Sequence, residues 1–175
     1  ALIDRFSATA AQTQLEATGS WFGDASQSRT ALKLKVDTRN LGKLVSAMGA
    51  ADQVSKGRGT FSADVAWPSS PMDLQTSKLS GKIAVDMHQG SLVKVEPGVG
   101  RVIGLFSVAR LPRRLTLDFS DFFAEGFAFD SVNGDIRFES GFAKTDDFSI
   151  KGPSADINIR GTANLETQTF DQTID

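Results

Sequence analysis

The 175-residue sequence has no cysteine, no tyrosine and only one histidine, His88. The absence of cysteine excludes disulfide bonds, thiolate nucleophiles and cysteine-bound metal ions. His88 stands just before a predicted turn, and no nucleophile-elbow pattern accompanies it. Acid pairs such as Asp146 and Asp147 are typical of caps and solvated loops. We therefore expect a protein that is not an enzyme, has no catalytic residues and uses no metal ion or other cofactor.

Long apolar runs are also missing. The longest apolar-rich stretch, residues 99–111, is interrupted by arginine and is shorter than the roughly 20 residues that span a bilayer. The chain begins with Ala1 and shows no basic segment followed by an apolar one. We interpret it as one domain, residues 1–175, cut from a longer protein whose anchor or targeting segment would lie outside it.

Neither sign of charge dominates, because the formal net charge is −2. No overall basic field is present to attract nucleic acid, so we expect no nucleic-acid partner. Four arginines nevertheless share one stretch without acidic residues: Arg101, Arg110, Arg113 and Arg114. Such a cluster is typical of a solvated face, or of a basic patch that meets lipid headgroups or an acidic partner.

Apolar and polar residues alternate with a period of two, which is typical of strands with one apolar face. Such runs occur at residues 32–36, 61–67, 83–87, 115–119, 136–138, 148–150, 157–159 and 163–165. Turn signals separate them at Gln89-Gly90, Asn133-Gly134, Ser140-Gly141 and Gly152-Pro153. Because short separations favour hairpins, the pattern predicts a mostly β chain that folds as an antiparallel meander.

A weak repeat underlies this alternation. A glycine is followed two and four residues later by apolar residues, starting at Gly59, Gly81, Gly134 and Gly161. Two interpretations remain open. The repeat indicates strand pairs that stack into an extended sheet, or it reflects the glycines that any antiparallel sheet contains.

Two segments break the period and predict short amphipathic helices. Residues 40–48 carry apolar residues at helical spacing, with Asn40 as the N-cap and Gly49 at the end. Residues 98–110 form the second, between Pro97 and Pro112. Its apolar side comprises Val99, Val102, Ile103, Phe106 and Ala109. We expect this helix either to plug the end of the sheet or to contact a membrane.

A more specific pattern lies between residues 95 and 121. It comprises Val95-Glu-Pro-Gly98, Gly100-Arg-Val-Ile-Gly104 and Leu111-Pro-Arg-Arg114-Leu-Thr-Leu-Asp118. With Ala66-Trp67-Pro68 and Gly126-Phe-Ala-Phe-Asp130, it resembles the C-terminal region of bacterial AsmA-like proteins, and most closely the YhdP branch. The resemblance extends from about residue 32 to residue 175.

This resemblance implies a fold, a place in the cell and a function. AsmA-like proteins are anchored in the inner membrane of Gram-negative bacteria and extend through the periplasm. Their strands form a long, partly open groove that conducts phospholipid toward the outer membrane. The chain would then be a C-terminal piece of such a protein, with a curved, partly open sheet shaped like a taco shell. Residues 98–110 would lie near the exit of the groove.

On this hypothesis one apolar strand face lines the groove and contacts phospholipid acyl chains. The lining residues would be Phe61, Val65, Ile83, Val85, Met87, Ile136, Phe138, Ile150, Ile157 and Ile159. A membrane surface and envelope proteins are further candidate partners. Two alternatives remain: a closed β-barrel that holds one apolar ligand, and a structural module whose free sheet edges dock neighbouring segments or partner proteins.

Overall fold

The computed structural model describes residues 2–10, 12–23, 27–47, 54–92, 127–167 and 169–175. Within them lie nine strands, one α-helix and a single 3₁₀ turn at Thr76–Lys78. The first strands are β1 (Leu2–Ala10), β2 (Thr13–Gly23), β3 (Ser28–Thr38), β4 (Val54–Trp67) and β5 (Ser80–Leu92). The others are β6 (Phe127–Glu139), β7 (Phe142–Lys151), β8 (Asp156–Asn164) and β9 (Thr169–Ile174), and the helix is α1 (Leu41–Ala47).

All nine strands belong to one antiparallel sheet in the order of the sequence, β1 to β9. Each strand from β2 to β8 pairs with the strand before it and the strand after it. The predicted antiparallel meander is therefore confirmed. Within the described ranges β1 and β9 form the two edges and do not pair with each other, so the sheet is open. The closed-barrel alternative is wrong for this part of the chain.

The predicted turns were right where the chain reverses within a few residues. Ser140 and Gly141 have φ angles of 51° and 83° and join β6 to β7, with Glu139 paired to Phe142. This is the geometry that a two-residue hairpin requires. The Gly152-Pro153 turn joins β7 to β8, as predicted.

Two other predicted turns were wrong, because Gln89-Gly90 lies inside β5 and Asn133-Gly134 lies inside β6. Gln89 does adopt a positive φ of 54° and Gly134 one of 152°. That freedom deforms the strands without reversing the chain. The connection from β5 to β6, with the predicted strand 115–119 and the predicted helix 98–110, lies outside the described residues.

The helix predicted over residues 40–48 is confirmed as α1 over Leu41–Ala47, while Met48 and Gly49 lie outside the described residues. Asn40 caps it as expected. Its Oδ1 accepts a hydrogen bond from the Lys43 backbone N–H at 3.0 Å, and its carbonyl accepts one from Leu44 N–H at 3.2 Å. The helix packs on the start of β4, where a Cβ on Gly42 would stand 2.7 Å from the Val54 carbonyl oxygen.

We expect Asn40→Ala to lower the free energy of unfolding by about 1 kcal/mol, because the Lys43 N–H loses its acceptor. Asn40→Asp keeps an acceptor at the same position and is expected to change stability by only a few tenths of a kcal/mol. Urea denaturation of both variants tests this. Equal loss in both would show that the side-chain cap contributes nothing.

Candidate functional site: one apolar face of the sheet

The register of the sheet brings the ten predicted lining residues onto one face. Directly paired residues of antiparallel strands share a face, and alternate residues along a strand return to it. Phe61 pairs with Val85, Ile83 with Ile136 and Ile150 with Ile157. Met87 pairs with Val132, which in turn pairs with Ile150. The register therefore carries one apolar face from β4 across to β8.

The same face extends to strands for which no lining residue was predicted. Val36 of β3 pairs with Phe61 and with Leu15 of β2, and Leu34 pairs with Ala63 and Ala17. At the other side of the sheet Phe170 and Ile174 of β9 pair with Ala163 and Ile159. The alternation in β3 and β8 was visible in the sequence. In β2 and β9 it is too sparse to assign a face without the pairing.

A bulge in β7 keeps its apolar residues on this face. The register shifts by one residue against β6 between Lys144 and Ser149, and against β8 between Thr145 and Phe148. Ala143 has an odd residue number and Phe148 an even one, and the bulge consequently places both on the same face. The extra residue falls at Asp146-Asp147, where the Asp147 Oδ1 accepts the Asp135 N–H at 3.0 Å. The sequence does contain a signal for the bulge, because the apolar residues change from odd-numbered to even-numbered positions between Ala143 and Phe148. Treating residues 148–150 as a separate run missed this signal.

The apolar face is partly open. Val65 and Val85 are each 9% exposed and Phe138 is 4% exposed, so these three are buried. The other seven predicted lining residues are half-buried. Within the described ranges no second layer of strands covers the face, since the strands pack against their neighbours in the sheet. The side chains thus present apolar surface that no described element fully covers.

A buried cluster closes the face at one end of the strands. It consists of Ala63, Val65, Trp67, Leu79 and Phe138, with Leu165 packed against it. The loop of residues 68–79 is tied down here, because the Trp67 Nε1–H donates to the Ser70 carbonyl oxygen at 2.9 Å. The Thr30 hydroxyl also donates to the Ser69 carbonyl oxygen at 2.7 Å.

Satisfied polar groups bound the face at the other strand ends, beside α1. Thr38 is only 2% exposed, and its Oγ1 lies 2.8 Å from that of Thr13 and accepts the Asn40 N–H at 3.2 Å. Nearby, the Phe129 ring packs directly on Gly90, where a Cβ would stand 2.3 Å from the ring. The apolar surface therefore has a defined width along the strands.

The four repeated glycines occupy equivalent places in the sheet. Gly59, Gly81, Gly134 and Gly161 all lie within strands and have φ angles between 120° and 152°. A Cβ at each would come within 2.0 to 2.5 Å of the backbone of the adjacent strand. The repeat therefore marks positions where neighbouring backbones approach too closely for any side chain, which favours the interpretation that strand pairs repeat.

Toward the middle of the strands the opposite face of the sheet is polar and carries exposed ion pairs, whereas near the α1 end of β6 the buried Phe127 and Phe129 lie on this face. Lys33 lies 2.7 Å from Asp64, and Lys82 lies 2.5 Å from Asp135. A cavity of about 380 Å³ on this face is lined by side chains of both charges together with Thr18, Ser62 and Ala84. Such mixed polar lining does not suit an apolar ligand.

The candidate acid–base groups contact other polar side chains on this polar side. Asp146 lies 3.5 Å from Arg137 and 3.4 Å from Lys144. His88 lies within β5 rather than beside a turn, and its Nε2 is 2.8 Å from Asp86 Oδ1. No group of three or more potential metal ligands occurs among the described residues.

The second predicted group of site residues cannot be placed. The apolar side of the predicted second helix (Val99, Val102, Ile103, Phe106 and Ala109) and the basic patch (Arg101, Arg110, Arg113 and Arg114) lie outside the described residues. Among the helices that the structure does describe, none has the length and apolar character needed to cross a membrane.

An open antiparallel sheet with one continuous apolar face defines a class of β-module that can cover apolar ligands along its length. Comparison with known proteins makes this specific: the family model described as "YhdP protein" matches residues 1–175, and the chain belongs to that family. It is 30% identical over 154 residues to the intermembrane phospholipid transporter YhdP of Escherichia coli strain K12. The match covers 87% of this chain and 12% of that relative. No solved structure matches the chain.

Proposed function

We propose that this chain is a lipid-binding part of a periplasmic bridge-like protein that conducts phospholipid between the inner and outer membranes of a Gram-negative bacterium. The observation that supports it most is the apolar face that runs from β1, where Phe6 pairs with Ala17, to β9 and is only partly covered. The E. coli relative is named as an intermembrane phospholipid transporter, and the chain spans about one eighth of its length.

The apolar face answers the main physical obstacle to moving a phospholipid through water. Exposing an acyl chain costs about 0.8 kcal/mol per methylene, so a two-chain lipid would cost roughly 20 kcal/mol or more. A route through the periplasm must therefore cover the chains continuously. A sheet face whose apolar residues align from strand to strand provides such cover, while the headgroup stays in solvent.

The dimensions of the face suit acyl chains. Nine strands give eight spacings, and at about 4.8 Å each the face extends roughly 38 Å across the strands. One leaflet of a bilayer has a hydrocarbon thickness of about 15 Å, half of the roughly 30 Å core. The face is thus long enough for more than one acyl-chain length. The proposed function therefore does not require that the face bind a single ligand with fixed stoichiometry.

The surviving alternative is a structural module whose free edges dock other segments. β1 and β9 do present free edges within the described part of the chain. An assembly module needs only these edges, however, and has no use for an apolar face that no described element fully covers. The apolar face therefore favours lipid binding over assembly alone.

Photo-crosslinking tests the proposal at adjacent residues on opposite faces. We expect a photoreactive residue that replaces Met87 or Ile136 to crosslink to phospholipid when the protein is irradiated during its isolation from Gram-negative cells. The neighbouring positions His88 and Arg137, which lie on the polar face, are expected to label at least tenfold less. Equal labelling from both faces would contradict the proposal, and absence of labelling from both would favour the assembly module.

A further inference from the structure

Exposed apolar side chains concentrate along the border of the sheet that is formed by one set of strand ends. Among the described residues, seven large apolar side chains are exposed. Six of them, which we name the apolar edge, are Leu2 (67%), Trp21 (39%), Phe22 (68%), Met72 (95%), Leu74 (54%) and Phe142 (45%). The seventh, Phe6, lies in the middle of β1 opposite Ala17.

The pairing of the strands shows that these six belong to one edge. Leu2 pairs with Ser20 at the start of β1, next to Trp21 and Phe22 near the end of β2. Thr30, at the start of β3, pairs with Trp67, where the loop of residues 68–79 begins. That loop also approaches the β6–β7 hairpin, because a Cβ on Gly141 would lie 3.5 Å from the Ser77 carbonyl oxygen.

The apolar edge is long, and its exposed side chains are separated from one another along it. From β1 to β7 there are six strand spacings, or roughly 29 Å at about 4.8 Å each. The loop that carries Met72 and Leu74 is held in place, since Trp67 and Thr30 donate to its carbonyl oxygens and Asp73 N–H donates to Ser70 at 3.1 Å. Met72 is therefore presented to solvent by an ordered loop.

We propose that the apolar edge inserts into the interface of a phospholipid bilayer. Six apolar projections over this length would each need a matching pocket in a protein partner, whereas a bilayer interface accepts them without shape complementarity. Tryptophan is enriched at this interface, and tryptophan, phenylalanine and leucine form the membrane-facing side of interfacial helices. Trp21 satisfies its indole N–H with the Ser28 hydroxyl at 2.9 Å.

Charge at this edge points to zwitterionic rather than anionic lipid. The charged residues described there are Arg29, Asp73, Lys78, Glu139 and Glu166, three acidic and two basic. They provide no excess of positive charge to attract anionic headgroups. This second proposal rests on the proposed function for the identity of the membrane lipid. It adds the part of the chain that contacts the bilayer.

Tryptophan fluorescence tests the proposal, since the chain has only two tryptophans. With phosphatidylcholine vesicles brominated on the acyl chains, we expect quenching of the wild-type chain. The W21F variant, which retains Trp67 at 7% exposure, should lose most of that quenching. The W21F/F22W variant should recover it, because position 22 belongs to the apolar edge but pairs with Arg29 on the polar face. Absence of quenching in the wild-type chain, or quenching that remains in W21F, would overturn the proposal.

Vesicle flotation provides a matched comparison. We expect Phe22→Ser and Met72→Ser each to weaken vesicle binding about tenfold, because each removes a large apolar side chain from the interface. Gln14→Ser should leave it unchanged, because Gln14 is exposed, pairs with Asp37 on the polar face and lies away from the apolar edge. Equal loss in Gln14→Ser, or binding that requires anionic lipid, would overturn the proposal.

The two proposals fail in different ways. If the edge variants lose flotation but keep phospholipid crosslinking from Met87, bilayer docking and lipid binding are separate and both stand. If the edge variants float normally while Ile157→Asp does not, vesicle binding takes place through the apolar face. That result would overturn the role of the edge and leave the proposed function intact.

Discussion

Replacing Gly59 by alanine is expected to lower the free energy of unfolding by about 3 kcal/mol or more. Gly59 has a φ of 150°, and a Cβ there would stand 2.0 Å from the Asp86 carbonyl oxygen and 2.7 Å from the Met87 Cα. These are backbone atoms of the paired strand β5, so they move only if the two strands separate. Chemical denaturation followed by circular dichroism measures the loss.

Gly141 provides the control for this prediction. It also has a positive φ, 83°, but a Cβ there would meet only the Ser77 carbonyl oxygen at 3.5 Å. Because asparagine tolerates this conformation, Gly141→Asn is expected to cost less than about 1 kcal/mol. Similar stabilities for Gly59→Ala and Gly141→Asn would show that the close approach of β4 and β5 at Gly59 is not a feature of the folded protein.

Placing an aspartate on the apolar face is expected to have the largest effect on lipid binding. Ile157 is half-buried and pairs with Ile150, so the new carboxylate would remain partly hydrated but would lie among apolar side chains. We expect Ile157→Asp to reduce phospholipid crosslinking from Met87 at least tenfold, with a loss of stability of about 1–2 kcal/mol. The adjacent Asn158 is exposed, and Asn158→Asp should leave crosslinking unchanged.

Position 85 would be a poorer choice for the same experiment. Val85 is 9% exposed and pairs with Phe61, so an aspartate there would be desolvated and would destabilise the sheet by about 3 kcal/mol or more. Loss of lipid could then reflect unfolding. If Ile157→Asp stays folded and keeps normal crosslinking, the face between β7 and β8 does not carry acyl chains.

The sequence predicted the fold where local chemistry determines it. Alternation in β3, β4 and β8 identified strands and the side that each presents inward, and Asn40 identified the start of α1. These features depend on neighbours within a few residues of the chain. Ser140-Gly141 belongs with them, because a two-residue hairpin needs positive φ at both positions.

The errors arose where a residue's role depends on another strand. Gly134 has the composition of a turn residue, yet its freedom is used because β7 approaches it, with the Phe148 Cα 2.5 Å from where a Cβ would be. Gln89-Gly90 is similar, since Gly90 makes room for the Phe129 ring. Such approaches involve strands that are paired in space, and no pattern within one strand reveals them.

The candidate site was predictable to a similar extent. The ten lining residues lie on one face because period-two alternation and meander topology together determine which sides coincide. The apolar edge was not predictable in this way. Phe22 lies near the end of β2, Met72 lies in the loop of residues 68–79 and Phe142 begins β7. Only the pairing of strands shows that these places meet at one edge.

The most direct test of the central claim is methyl NMR with phospholipids that carry a nitroxide either on the acyl chain or on the headgroup. We expect the acyl-chain label to broaden the methyl signals of Ile83, Ile136, Ile150, Ile157 and Ile159 more strongly than the headgroup label does. Ala84 lies between Ile83 and Val85 but pairs with Ser62 and Asp135 on the polar face, and its methyl signal should remain sharp. Equal broadening of Ala84 and the isoleucines, or stronger broadening by the headgroup label, would contradict a face that shelters acyl chains.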